Sequence, residues 1–199
     1  MTILPAAYLP SVRYMARIAA GDCVIDTGEH FLKRSERNRA EILTANGPMS
    51  LTVQVSHANR LRTPVREVRI DYSKRWQHQH WTALVSAYRS SPYFDHYAPR
   101  FERFYNRRWE WLAEYDLALT ETLLGCIGIA MPQVADRYVD AAEGDLDLRP
   151  KGAVDPQFSE ITYIQVFSDR QQFVPAMSFI DLLFCEGPDS KALLTDSLR

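Results

Sequence analysis

Four cations, Lys33, Arg34, Arg37 and Arg39, fall within seven residues of one another. Guanidinium forks match the geometry of phosphate and carboxylate, so this density of cations suits an anionic ligand. The bias extends further: between His30 and Arg75 ten cations face four acids, a local charge of +6. Between Asp136 and Glu160 the acids dominate. Such segregation in a chain of net charge −2 fits a phosphorylated or otherwise acidic small molecule. A solvated helix face carrying the same cations is the competing reading, and the residues alone leave both open.

The elements before this cluster would position it. Ile3 to Pro10 is a short apolar run, as a buried strand requires. Ser11 is a helix N-cap, and Val12, Met15, Ala16 and Ala19 then share one helical face. Gly21-Asp22 ends that helix, and Cys23 to Asp26 is a second buried-strand run. Strand, helix, strand predicts a parallel β-α-β unit with a right-handed crossover. In open α/β sheets ligands sit beyond the carboxyl ends of strands, near helix N-termini. Tyr8 and Ser11 arrive at that edge from one strand, and Asp26, Glu29 and His30 from the other. The expectation is one cleft lined by Tyr8, His30 and at least two of Lys33, Arg37 and Arg39, with His80 or Tyr88 on the opposite wall.

Two histidines could move a proton. His30 follows Glu29, whose carboxylate would favour the imidazolium. The bland alternative is an exposed loop histidine. His80 shares a helical stripe with Trp76, Leu84 and Tyr88, and Trp81 widens it. It reads either as a histidine wedged among aromatics or as a general base lining a pocket. His78 and His80 are two apart, so on a helix they diverge and cannot chelate one metal. Tyr88, Ser91, Tyr93 and Phe94 form a hydroxyl-bearing aromatic corner, suited to stacking on a flat ligand or to closing a core. Asp181 lies near the N-terminus of a short helix, where a carboxylate is favoured, and could pair with one of the cations. Cys185 lies at that helix's other end, where the dipole disfavours a thiolate.

Further along, Arg39 to Ala45 suits a strand or a helix turn, and Glu41 to Val55 reads as a hairpin turning at Asn46-Gly47. Arg60 to Pro64 is a basic loop, and Arg66 to Ile70 a short strand. A helix is expected over Trp76 to Tyr88, ended by Ser90-Ser91-Pro92. Pro99 opens the next, and Asp116 caps a third that runs towards Gly125 or Gly128. Asp136 to Gln157 lacks hydrophobic pattern and reads as a long loop. Ile161 to Phe167 reads as a strand, Ser178 as the cap of a short helix, and the last residues as a frayed tail. The expected fold is α/β: a mostly parallel N-terminal sheet, then an aromatic-rich helical middle. It forms a single domain over 1–199, with an α/β part at about 1–75, a helical part at about 76–130 and a strand-helix part at about 158–190.

The chain has 199 residues, 46% of them hydrophobic and 24% charged, the profile of an ordinary globular protein. No apolar run approaches the ~20 residues of a membrane span. The N-terminus has no basic region followed by an apolar one, and the three cysteines are far apart, which together predict a cytoplasmic protein with reduced thiols. The pI of about 6.2 and the absence of a nucleic-acid motif speak against a nucleic-acid partner. The glycine-rich phosphate loops and the nucleophile elbow are missing from the sequence. No metal site is expected, and the sequence leaves any cofactor open.

Taken in order, YLPSVRYMARI, VIDTGEHFLKRSERNR, the WQHQHW to AYRSSPYF stretch and FVPAMSFIDLLFCEGP resemble the WbqC-like family of bacterial proteins, from about Tyr8 to Pro188. Bacteroidetes-type members are especially similar. The family takes its name from surface-polysaccharide (O-antigen) gene clusters. The resemblance implies transfer of a small acyl or aminoacyl group, glycine for instance, to an amino sugar or nucleotide-linked sugar. A protein that binds a nucleotide or sugar phosphate, or scaffolds a complex, without chemistry is the alternative. It carries site roles onto Tyr8, Lys33, Arg37, Asn38, Arg39, Trp76, His80, Trp81, Tyr88, Ser91, Tyr93 and Asp181, and onto Pro10 and Gly187. His80 or His30 would be the base, and a strand-end amide or Asn38 the oxyanion donor. Cys185 stands where the resemblance implies asparagine.

Overall fold

The structure is a computed structural model that describes residues 1–56 and 62–198. Strand β1 (Thr2–Pro5), helix α1 (Val12–Ala20) and strand β2 (Cys23–Asp26) form the expected β-α-β unit. The strands are parallel, with Thr2 opposite Cys23 and Pro5 opposite Asp26. Ser11 caps α1, its Oγ accepting from the Tyr14 N–H at 3.4 Å. Gly21 closes the helix at φ +80°, a conformation open to glycine at little cost. The first strand is shorter than its apolar run. Beyond Pro5 the chain stays buried but leaves the sheet, and Leu9 adopts φ +42°.

The hairpin follows as β3 (Arg39–Thr44) and β4 (Gly47–Thr52), antiparallel, with Thr44 opposite Gly47. The turn is therefore Ala45-Asn46, one residue earlier than expected, because Gly47 takes the left-handed position at φ +100°. Strands β5 (Val55–Ser56) and β6 (Arg69–Ile70) pair antiparallel beyond it. Of the expected basic loop, Arg60 and Leu61 lie outside the described residues.

Three helices make the aromatic middle: α2 (Trp76–Tyr88), α3 (Phe94–Asn106) and α4 (Leu112–Cys126). Trp76, Tyr88, Phe101, Phe104 and Tyr115 are all buried in the hydrophobic core shared with α1. Two expected boundaries differ. Pro99 lies inside α3 rather than opening it. It lies in the second turn, where its missing N–H leaves the Asp95 carbonyl without its usual helix partner. Asp116 is buried in the body of α4 instead of capping it, because the helix begins a turn earlier, after Trp111.

Just before the acidic segment, strand β7 (Gln133–Ala135) pairs parallel with β2. The acidic segment itself is a loop interrupted by one short strand, β8 (Leu146–Asp147), which pairs parallel with β1. The sheet order is β7-β2-β1-β8, so the first two strands are its centre. Residues 161–167 form no strand. Instead the Tyr163 hydroxyl and the Gln165 amide donate to Asp181, at 2.5 and 3.1 Å, and Ile164 is left exposed. Helix α5 (Phe179–Glu186) is capped by Ser178 as expected. The expected frayed tail is helix α6 (Ser190–Asp196), held by buried Leu194. Among the described residues no helix is long and apolar enough to cross a membrane.

Candidate functional site

A cavity of about 320 Å³ opens where β1 and β8 end. Pro5 and Leu148 supply its strand-end floor, and the segment Pro150–Ala153 supplies one wall. Among the described residues six cations line it, Arg13, Arg34, Arg37, Arg39, Arg149 and Lys151, with Glu36 and Glu41 as its acids. The position is the one that parallel topology favours for a ligand.

The cations divide by what they already hold. The Arg37 guanidinium is 2% exposed and makes a two-pronged ion pair with Glu29, in which Nε lies 2.7 Å from Oε1. Its Nη2 also donates to the Arg149 carbonyl at 2.8 Å. Burial pushes Glu29 up to about 7 against the pull of Arg37. Arg149, also buried, donates to Asp26 at 2.5 Å and to Asp147 at 2.8 and 2.9 Å, and the Asp147 bonds hold it firmly protonated. Asp26 in turn accepts from the Gly28 and Glu29 N–H groups at 2.8 and 3.1 Å, and from Val139 N–H at 3.1 Å. These two arginines pin β2, β8 and the loops together behind the cavity.

Arg13 and Arg39 are half-exposed and loosely engaged. Arg13 reaches Glu36 at 3.4 Å and the Ala153 carbonyl at 2.9 Å. Arg39 reaches Glu41 at 3.1 Å, and Ser50 Oγ bridges to the same carboxylate. Arg34 and Lys151 are exposed and carry no ion pair among the described residues. Lys33 is exposed too, yet does not line the cavity.

A smaller cleft of about 60 Å³ adjoins this one through Glu36, Arg39 and Glu41. Tyr8 and Ser11 reach it, together with Ser178. Ser11 and Ser178 cap α1 and α5 and pair as a single antiparallel bridge, so both helix N-termini meet there. Leu9 and Ala176, both with positive φ, border the cleft.

The WbqC-like protein family matches residues 6–155. The chain belongs to this family. A protein of Mycobacterium tuberculosis, described as uncharacterized, is 33% identical over 95 residues, which are 47% of this chain and 41% of that protein. The chain thus matches well under half the length of this relative. No solved structure matches it.

In this WbqC-like protein the residues expected to line one cleft separate into three groups. Arg37 and Arg39 do share a cavity wall, and Tyr8 and Ser11 reach the adjoining cleft. His30 is exposed, paired with Pro64, and lines neither. His80 is 5% exposed and lines neither cavity. Its Nδ1 is 2.9 Å from the Tyr8 hydroxyl, and a backbone bond to Thr52 occupies it further. Burial drives it down to about 4, so it is a neutral core imidazole at neutral pH. The opposite wall expected of His80 or Tyr88 is absent for a physical reason: the α2 stripe is the core face of that helix.

The remaining expected residues build the scaffold. Trp76 is buried and donates to the Asp71 carbonyl at 2.9 Å, and Trp81 stacks on Tyr105. The Tyr88 hydroxyl accepts from Leu43 N–H at 3.0 Å, and Ser91 Oγ donates to the Tyr88 carbonyl at 2.6 Å. Asn38, expected as an oxyanion donor, is buried and lines neither cavity, and its side-chain amide donates one bond to the Val53 carbonyl at 3.0 Å. Asp181 is fully buried, and desolvation pushes it up against hydrogen bonds from Tyr163, Tyr88 and Gln165; among the described residues it has no cation partner. Tyr93 lies against Gly187: a Cβ there would come within 2.5 Å of its ring. Cys185 is buried, and burial pushes its thiol up, away from reactivity.

Sequence reasoning missed Arg13, Glu36, Glu41, Arg149 and Lys151 as cavity residues. Arg13 and Glu36 carried a signal: one follows the cap residue Ser11 by two positions, and the other lies within the cation cluster. Arg149 and Lys151 carried none, because their segment showed no periodicity.

Proposed function

We propose that the cavity beyond β1 and β8 binds a phosphorylated small molecule. The observation that supports this is the convergence of four incompletely neutralised cations, Arg13, Arg34, Arg39 and Lys151, on one strand-end cavity. In this reading the protein is a transferase that moves a small acyl or aminoacyl group to an amino sugar carrying a phosphate or nucleotide. The family's name, with its link to surface polysaccharide, supports that finer step. The proton acceptor would be a cavity carboxylate, Glu36 or Glu41, in place of His80 or His30. The second reading is binding without chemistry. It draws on the cavity's lining, which contains neither histidine nor cysteine among the described residues.

Thermal-shift measurements against phosphorylated sugars, followed by mass spectrometry with acyl donors, separate these readings. Stabilisation with formation of an acylated sugar supports the transferase. Stabilisation without product supports the binding module. If no phosphorylated compound stabilises the chain, the anion site itself is refuted.

A further inference from the structure

We infer that the ligand of this cavity is a compact sugar monophosphate rather than a nucleotide-linked sugar, its phosphate held by Arg34 and Lys151 and its hydroxyls by Glu36 and Glu41. The inference rests on the anion-site reading and narrows it.

The first argument is charge. Arg37 and Arg149 are spent on buried carboxylates, and Arg13 and Arg39 each share a carboxylate within the cavity. Two cations remain unpaired among the described residues, Arg34 on the loop after β2 and Lys151 on the loop after β8. Two free positive charges balance one phosphomonoester, which carries about −1.5 to −2 at neutral pH.

The second argument is the acids. An ionised carboxylate only accepts hydrogen bonds. Glu36 and Glu41 would repel a second phosphate, but they offer free acceptor positions to O–H donors. A cavity lined by exposed cations and half-buried carboxylates therefore fits a molecule with one anionic group and several hydroxyls.

Size and lining give the third. At roughly 30 Å³ per water in the liquid, about ten waters fill a cavity of 320 Å³. That matches one sugar ring with its phosphate. Ligand pockets run from about 300 to 1,000 Å³, so this one lies at the small end. No aromatic ring lines it among the described residues, so a nucleobase gains no stacking partner. The base and ribose of a nucleotide sugar would extend into water.

Isothermal titration calorimetry on the full chain tests this with inorganic phosphate, glucose 1-phosphate, galactose 1-phosphate and the two corresponding uridine-diphosphate sugars. At least one sugar monophosphate should bind tenfold or more tighter than inorganic phosphate, and no weaker than its nucleotide-linked counterpart. The double variant Arg34→Gly, Lys151→Ala should weaken that binding by about 100-fold or more, because each removed cation takes with it a charge-assisted hydrogen bond worth about tenfold or more. Glycine tolerates the φ of +57° at position 34, so the variant keeps its loop, and an unchanged melting temperature verifies this. Glu36→Ala should narrow the gap between sugar phosphate and phosphate. Nucleotide sugars binding tenfold tighter would overturn the monophosphate inference and leave the anion site standing. Sugar phosphates no better than inorganic phosphate would also overturn it. Silence from every probe would refute the anion site itself.

Discussion

Arginine 37 and its neighbours show how residues of one type in one short segment take different tasks. Arg37 and Glu29 are both buried and bonded only to each other's charge and to nearby polar groups. Arg37→Ala would strand the Glu29 carboxylate, a loss of about 3–5 kcal/mol for a broken buried pair. Arg39→Ala, at a half-exposed pair, should cost under ~1 kcal/mol. Urea titrations of the two variants check the contrast, and equal losses would contradict it. His80 makes a second test. Its folded pKa of about 4 lies below the ordinary 6.5, so between these values the unfolded chain binds more protons. The His80 contribution is therefore fully present above about pH 6.5 and is lost as pH falls towards 4, by up to ~1.4 kcal/mol per pH unit. The stability difference between wild type and His80→Gln should shrink over that window. A difference independent of pH would mean that His80 titrates normally and is open to water.

Helices and strands follow local signals where those signals are strong, and close approaches decide the rest. Gly28 follows β2 and faces the backbone of residues 137 and 138: a Cβ there would come within 2.3 Å of Arg137 C and Tyr138 N. Backbone cannot swing aside as a side chain can. Gly28→Ala should therefore cost about 1–3 kcal/mol by overpacking and disturb the Asp26–Val139 contact. Gly125 gives the control. It is exposed in α4, and a Cβ there meets nothing within 4 Å. Gly125→Ala should stabilise by up to about 1 kcal/mol through helix propensity. Thermal melts of the two variants should shift in opposite directions, and a shift in the same direction would remove the close-packing argument.

Across the whole molecule, two buried ion pairs tie the segment after β8 to the N-terminal unit. Arg149 holds its beginning to Asp26, and Asp155 holds its end to Arg17 of α1. Between these anchors lies the cavity wall with Lys151, tethered at Ala153 by Arg13. Asp155→Asn would remove the charge that Arg17 faces in a site where the aspartate is 5% exposed. Stability should drop by about 3–5 kcal/mol. Hydrogen exchange should rise first at residues 150–157, while β1 and β2 stay protected. A rise spread evenly over the sheet would show that the pair supports the whole fold rather than this wall.

The sequence by itself determined the elements whose causes are local. The two apolar runs around a Ser11-capped helix, the alternating hairpin, the α2 stripe ended before Pro92 and the Ser178 cap of α5 all form as their residues dictate. It also determined that cations gather near a strand-end edge, because the β-α-β unit brings them there. Tertiary structure decided which of those cations remain free. Arg34 and Arg37 are three residues apart and chemically alike, yet only Arg37 meets a buried carboxylate. Strands of two and three residues, such as β8 and β7, are too short to show a period, and they exist because β1 and β2 offer open edges to pair with. Burial of His80 is equally non-local: an imidazole on a helix stripe is base or core according to what packs over it, and here Tyr8 and Thr52 do.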